Sequence, residues 1–216
     1  VRRISMQGKK FSVVGHGYKT TADADFKDII VVGMADVSRV YYEGEYEPNV
    51  HKAPTCWSLD SQRPDKGVPE VSKQANRCLD CTHNIRGSGH NRGRACKFIQ
   101  NIAVAFEGQL DTMYKLKLPA TSIYGKAKGG HLPMQEYIKF LVSRGSEISS
   151  VLTRMYFDSS SNVPKLFFKP MRSLRDEELS AVKQLQDSVD THTATGFVVA
   201  PNSPFDIAEG YELNAT

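Results

Sequence analysis

The sequence has no long apolar run. Its longest, Ile29 to Ala35, ends at Asp36 after seven residues, against the ~20 that a membrane-crossing helix needs, so no membrane partner is expected. It has little charge bias: 28 Lys plus Arg against 24 Asp plus Glu leave +4, too weak a balance to indicate a polyanion partner by itself. Internal repeats and low-complexity tracts are missing. The opening Val1-Arg2-Arg3-Ile4 carries no apolar signal core, which sets the expectation of a cytoplasmic protein. Catalytic signatures are missing too. Gly15-His16-Gly17-Tyr18-Lys19-Thr20 fails as a phosphate loop because Tyr18 precedes the lysine; Gly87, Gly89 and Gly93 have the wrong interval, and no preceding strand, for a dinucleotide site. Ser122 sits in no GxSxG elbow. No enzymatic activity and no small-molecule substrate are therefore expected. In bulk the chain is ordinary: 216 residues, 40% apolar, with 16 glycines, make one globular domain with room for an insertion.

Cysteine is scarce but concentrated. All four thiols, Cys56, Cys78, Cys81 and Cys96, fall between positions 56 and 96. Cys78-Leu79-Asp80-Cys81 is a CxxC turn that aims two thiolates at one point, with Cys56 and Cys96 as flanking arms. Four thiolates hold zinc tetrahedrally and leave no open position, so a structural Zn²⁺ is expected, with His51, His83 or His90 available to replace one thiolate. Two disulfides would suit a small secreted chain, but this one has enough apolar residues to need no staples. A thioredoxin-like pair would open a helix, whereas this CxxC leads into the glycine-rich run Gly87 to Gly93. The segment Glu43 to Arg94 is rich in Pro, Gly, Asn and charge, and cannot bury enough surface to offset its ordering entropy. Metal binding supplies on the order of 10 kcal/mol of folding energy to such a module. Residues 44–97 are therefore expected to form an inserted zinc-binding subdomain, with Trp57 packed on the knuckle or stacked on a base. Between Ser72 and Lys97 stand six bases and one acid. Part of that excess neutralises the net −2 of a tetrathiolate zinc centre, and the rest makes the arm electropositive.

Either side of this segment the periodicity is mostly two. Lys10 to Gly15, Ile29 to Tyr42, Phe98 to Glu107, Met113 to Leu118, Val151 to Asp158 and Val163 to Lys169 read as strands. His131 to Arg144 and Leu174 to Ser188 read as helices, the second capped by Ser173. The predicted class is mainly β (α+β): strands, a helix and further strands in the order of an OB-fold, a Greek-key barrel, followed by a C-terminal helix and an extension over 190–216.

Alternation assigns side chains to faces. Arg154 and Tyr156 share the wetter face of one strand, Lys165, Phe167 and Lys169 share a face of the next, and Arg39 and Tyr41 repeat the pattern. A ring between cations offers a π-surface to a base and a charge to its phosphate, which is what single-stranded nucleic acid requires. Arg86, Arg92 and Arg94 on the zinc arm would clamp further phosphates.

A CxxC metal knuckle inserted in an OB barrel, carried by Cys56, Cys78, Cys81 and Cys96, resembles the zinc-containing single-stranded-DNA-binding proteins of bacteriophages, of which the T4-type helix-destabilising protein is one form. It is also similar to the zinc-bearing OB domain of replication protein A. The resemblance covers Phe11 to Lys169 at the level of architecture. It implies a non-enzymatic, sequence-tolerant DNA-binding protein working in phage DNA replication or recombination beside replication or recombination proteins, in the host cytoplasm. Two departures stand out: the T4-type proteins use a His ligand where this chain offers four thiols, and their strongly acidic tail has no counterpart in Glu209 to Thr216, which holds two acids. The competing expectations are a zinc-stapled structural or interaction module of a virion or replisome and, from His83-Asn84 and His90-Asn91 beside the thiols, an HNH-like nuclease.

Overall fold

A computed structural model of the chain describes residues 1–15, 18–22, 25–44 and 52–199. In chain order the strands are β1 (Arg2–Ser5), β2 (Phe11–Gly15), β3 (Tyr18–Ala22), β4 (Phe26–Met34), β5 (Ser38–Tyr41), β6 (Cys56–Ser58), β7 (Lys97–Phe106), β8 (Gln109–Pro119), β9 (Val151–Phe157) and β10 (Leu166–Ser173). The α-helices are α1 (Ala120–Ile123) and α2 (Met134–Val142) between β8 and β9, then α3 (Asp176–Gln186) and α4 (Val189–Thr195). The protein is thus mainly β with few helices. No helix among the described residues is long and apolar enough to cross a membrane. Of the expected 190–216 extension, 190–195 belong to α4, while 200–216 lie outside the described residues, as does His51.

The chain divides into two compact units: Val1–Ala35 with Asn101–Gly196, and Asp36–Gln100 with the chain from Phe197. In the first, the core unit, the strand order is β10-β9-β4-β7-β8-β1-β2-β3. β1 lies parallel to β8, whereas β10/β9, β9/β4, β4/β7, β1/β2 and β2/β3 are antiparallel. The sheet curls on itself: Phe11 of β2 stacks on Phe157 of β9 with ring centroids 4.4 Å apart, although β4, β7, β8 and β1 lie between them in the order.

Central strands covered on both faces read as continuous apolar runs, and Ile29–Val32 of β4 and Ile102–Ala105 of β7 are all buried. On one face Ile30, Val32, Ala103 and Ala105 pack with Leu174, Val182 of α3 and Ala194 of α4. Gly33 permits this approach, since a Cβ there would stand 2.8 Å from Thr191 Cγ2 of α4. The opposite face takes α2. Tyr137 there hydrogen-bonds Thr153 at 2.7 Å, and Thr153 is the register partner of Ile29.

Several boundaries differ from the periodicity. The expected strand 29–42 is two strands, β4 pairing in the core unit and β5 in the other. The expected helix from His131 starts only at Met134. Gly129 and Gly130 have φ of 56° and 83°, a two-residue turn that pairs Lys128 with His131 through reciprocal N–H···O bonds of 3.2 and 2.9 Å. The last expected strand begins at Leu166, leaving Lys165 in the turn before it. α3 starts at Asp176 instead of after Ser173, because the Arg175 N–H donates to the Glu178 carboxylate at 2.9 Å.

β10 ends the sheet, and its outward N–H groups between Leu166 and Pro170 are taken. Leu166 N–H donates to Ser122 Oγ at 2.9 Å, Phe168 N–H donates to Leu132 O at 2.9 Å, and Pro170 has none. This disposes of an edge that would otherwise invite strand addition, and gives the buried Ser122 a structural task.

In the second, the thiol unit, β5 pairs antiparallel with β6 and with the first half of β7. Its apolar cluster is small: Val40, Cys56, Trp57 and Val68, flanked by Tyr41, Tyr42, Ile99 and Phe197. Short 3₁₀ turns connect the rest.

Candidate metal centre and aromatic face

The thiol unit gathers its cysteines by register. Tyr41 of β5 pairs with Cys56 of β6, and Arg39 pairs with Phe98 of β7, so antiparallel continuation carries Cys96 back toward Tyr41. Cys78 opens and Cys81 follows a 3₁₀ turn, tied down by the Cys78 N–H to Gln62 O at 2.8 Å. The Cys96 N–H in turn donates to His83 O at 2.9 Å. All four sulfurs are free thiols, three of them buried, and all four line one cavity of about 20 Å³. That is room for one water or one ion.

Among the described residues no three Cys, His, Asp or Glu side chains stand ready-placed around a common point as a metal would hold them. The fit of a metal therefore rests on the donor set and its surroundings. Four soft thiols sharing a single-ion cavity suit a borderline-soft divalent ion such as Zn²⁺. Burial first, and the neighbouring thiols after it, push the Cys56 thiol up and the Cys96 thiol to about 12. Such a cluster becomes thiolate only against positive charge. One cation is already there: Arg39 is 7% exposed, lines the cavity, and has Nε and Nη1 buried without an acceptor. The donor chemistry, four thiols on one cavity with a cation beside them, is of the kind such an ion takes. Holding the four arms together would fix the 56–96 segment; no further chemistry is assigned to the metal.

The candidate histidine ligands lie elsewhere. His83 stacks on Tyr41, centroids 4.0 Å apart, with Nε2 3.0 Å from Gln74 Oε1, and His90 is exposed. Trp57 packs with Val40 and Val68 and lines the cavity. Arg86, Arg92 and Arg94 are exposed; Arg94 Nε donates to Asn84 O at 2.7 Å. Arg39 lies over Phe98 at 3.9 Å, buried where an open face was expected.

The core unit holds the remaining five predicted nucleic-acid residues. Across β4, β9 and β10 the register aligns Phe26 with Tyr156 and Tyr156 with Phe167; one step on, Asp28 aligns with Arg154 and Arg154 with Lys169. Partners in register share a face, so a row of rings runs beside a row of charges. Phe26 is 42% exposed and Phe167 6%, which makes Phe167 the floor and Phe26 the rim. Arg154 covers Phe26 at 3.9 Å while its fork grips Asp28 through Nε–Oδ1 at 2.7 Å and Nη2–Oδ2 at 2.6 Å. Lys165 lies 4.5 Å from the Phe167 centroid and 2.9 Å from Asp158 Oδ2. The Ser160 hydroxyl and Lys165 together hold the Asp158 carboxyl at about 2. Lys169 lies 5.8 Å from the Tyr156 ring and is exposed.

His131 and Phe26 are the residues that sequence reasoning missed. The two-residue turn seats His131 against Phe167 at 5.2 Å and Tyr156 at 5.7 Å, with Nδ1 2.9 Å from the Tyr156 hydroxyl. Only cross-strand register and a turn could have revealed either. No protein family, curated protein or solved structure matches the chain.

Proposed function

We propose that the chain is a non-enzymatic, sequence-tolerant binder of single-stranded DNA, built on an OB-type barrel, stapled by one structural Zn²⁺ on Cys56, Cys78, Cys81 and Cys96, and serving DNA replication or recombination. The observation that carries the binding reading is the in-register row Phe26–Tyr156–Phe167 with His131 at its end. Phe167 is buried as the floor, while Phe26, Tyr156 and His131 keep open ring surface, on which a base stacks for about 1–3 kcal/mol, whatever its identity. Arg154 and Lys165 are engaged by Asp28 and Asp158, so they stiffen the rings, and Lys169 supplies charge for phosphate. Arg86, Arg92 and Arg94 are exposed on the thiol unit and are its own candidate phosphate contacts. The barrel reading is supported by the order β9-β4-β7-β8, which is the 4-1-2-3 order of a Greek key, with α2 between its third and fourth strands. β1 then occupies the free edge of β8, where a five-stranded barrel would close on its last strand.

Anisotropy of a labelled oligo-dT tests the reading: log affinity should fall linearly with log salt, and Tyr156→Ala should weaken binding with zinc content unchanged. A flat salt response or an unaffected variant overturns it. A second reading, a zinc-stapled interaction module, is favoured by exposed apolar side chains on the thiol unit, Val71 at 96%, Leu79 at 71% and Ile85 at 62%. It requires no oligonucleotide binding in the same titration.

A further inference from the structure

The cations of the thiol unit are not equivalent. Lys73 pairs with Glu70 at 2.6 Å and Arg77 with Asp80 at 3.6 Å, all reaching solvent. Arg94 donates to a carbonyl. Arg39 has no such partner among the described residues: its Nε and Nη1 are shielded from water and meet no acceptor, and the face of the Phe98 ring lies against it at 3.9 Å. A guanidinium cannot shed its proton to escape burial, so an isolated one in this position is among the costliest features a fold can carry. Its in-plane N–H groups, which the ring does not engage, belong to a side chain that lines the same cavity as the four sulfurs.

Neutral thiols are weak acceptors and cannot answer that charge. Four thiolates around a divalent ion carry net −2 in a dry pocket, and such a centre needs compensating charge as much as Arg39 needs an acceptor. We infer that Arg39 is the internal counter-ion of the tetrathiolate zinc centre, its unpartnered N–H groups turned to thiolate sulfur, and not a contact for nucleic-acid phosphate. The inference rests on the zinc reading above. It separates Arg39 from the other predicted binding residues. It also explains why β5 spends an arginine on its buried face: Arg39 and Tyr41 alternate with Val40, so both share the face of Cys56.

The test compares wild type, Arg39→Met and Arg39→Lys as full-length chains. Zinc content is read by native mass spectrometry and zinc transfer by a chromophoric chelator, with thermal midpoints measured for the zinc-loaded and the reduced, chelator-treated forms. Outer-shell partners of a metal are typically worth about 10–100-fold in affinity, and Arg39→Met should lose zinc by a factor in that range, with Arg39→Lys between it and wild type. The midpoints should reverse in order: Arg39→Met lies below wild type when zinc is bound, and at or above it when zinc is removed, because the metal-free form no longer buries an unanswered charge. Equal zinc retention in wild type and Arg39→Met, or equal destabilisation of loaded and stripped forms, overturns the inference and leaves the zinc reading standing. A wild type that carries no zinc overturns both.

Discussion

The two units solve the same problem by different means. The core unit buries Ile29–Val32 and Ile102–Ala105 on both faces of central strands and adds Tyr137, Phe168, Leu116 and Met155. Among the described residues of the thiol unit the buried apolar ones other than cysteine are Val40, Trp57 and Val68. Ordering costs the same per residue in both. A segment with so little to bury must be held by something else, and four thiols around one cavity are what it has. Apolar burial is diffuse and tolerant, whereas a tetrathiolate centre is all-or-none.

That contrast breaks most visibly when the metal is removed. On our reading the loss is on the order of 10 kcal/mol for the module. Amide exchange in reduced, chelator-treated protein should therefore show residues 56–96 unprotected while 29–32 and 102–105 stay protected; loss of both together would mean one cooperative block. Phe168→Ala attacks the other side. It should cost about 3–5 kcal/mol in denaturant titrations and leave zinc content untouched. Tyr156→Ala should leave zinc content unchanged and lower oligo-dT affinity by about 1–3 kcal/mol. Tyr156→Phe, which loses only the His131 hydrogen bond, should fall between that variant and wild type.

The smallest effect concerns acid. Asp158 is held at about 2 in the folded chain against about 3.9 when unfolded. Its contribution is complete above the unfolded value and disappears as pH falls through the folded one. Midpoints measured from pH 5 to pH 2 should show a shallower acid decline in Asp158→Asn than in wild type; identical profiles would remove Asp158 from the acid response.

Legibility in the sequence follows locality. Cys78 and Cys81 announce themselves because a CxxC turn is a local object, and the mainly β class is readable because alternation is local too. Arg154 and Tyr156 do share a face, as period two requires. Alternation says which residues lie together but not what covers them, so Arg39 was expected on a wet face and lies buried beside the thiols. Neither Asp28 opposite Arg154 nor His131 against Phe167 leaves any local trace. Both arise from pairing between distant segments. The start of α2 was misplaced because Gly129 and Gly130 act through positive φ, which overrides an otherwise helical pattern.

The sealed rim of β10 has a consequence for crowding. A protein that lines up along a polymer brings its copies to high local concentration, the condition under which unprotected strand edges fuse molecules into insoluble ribbons. With Ser122, Leu132 and Pro170 denying that strand any outward donor between Leu166 and Pro170, neighbours gain no foothold along this border. On the DNA-binding reading proposed above, copies sharing one thread would not fuse through this stretch of strand.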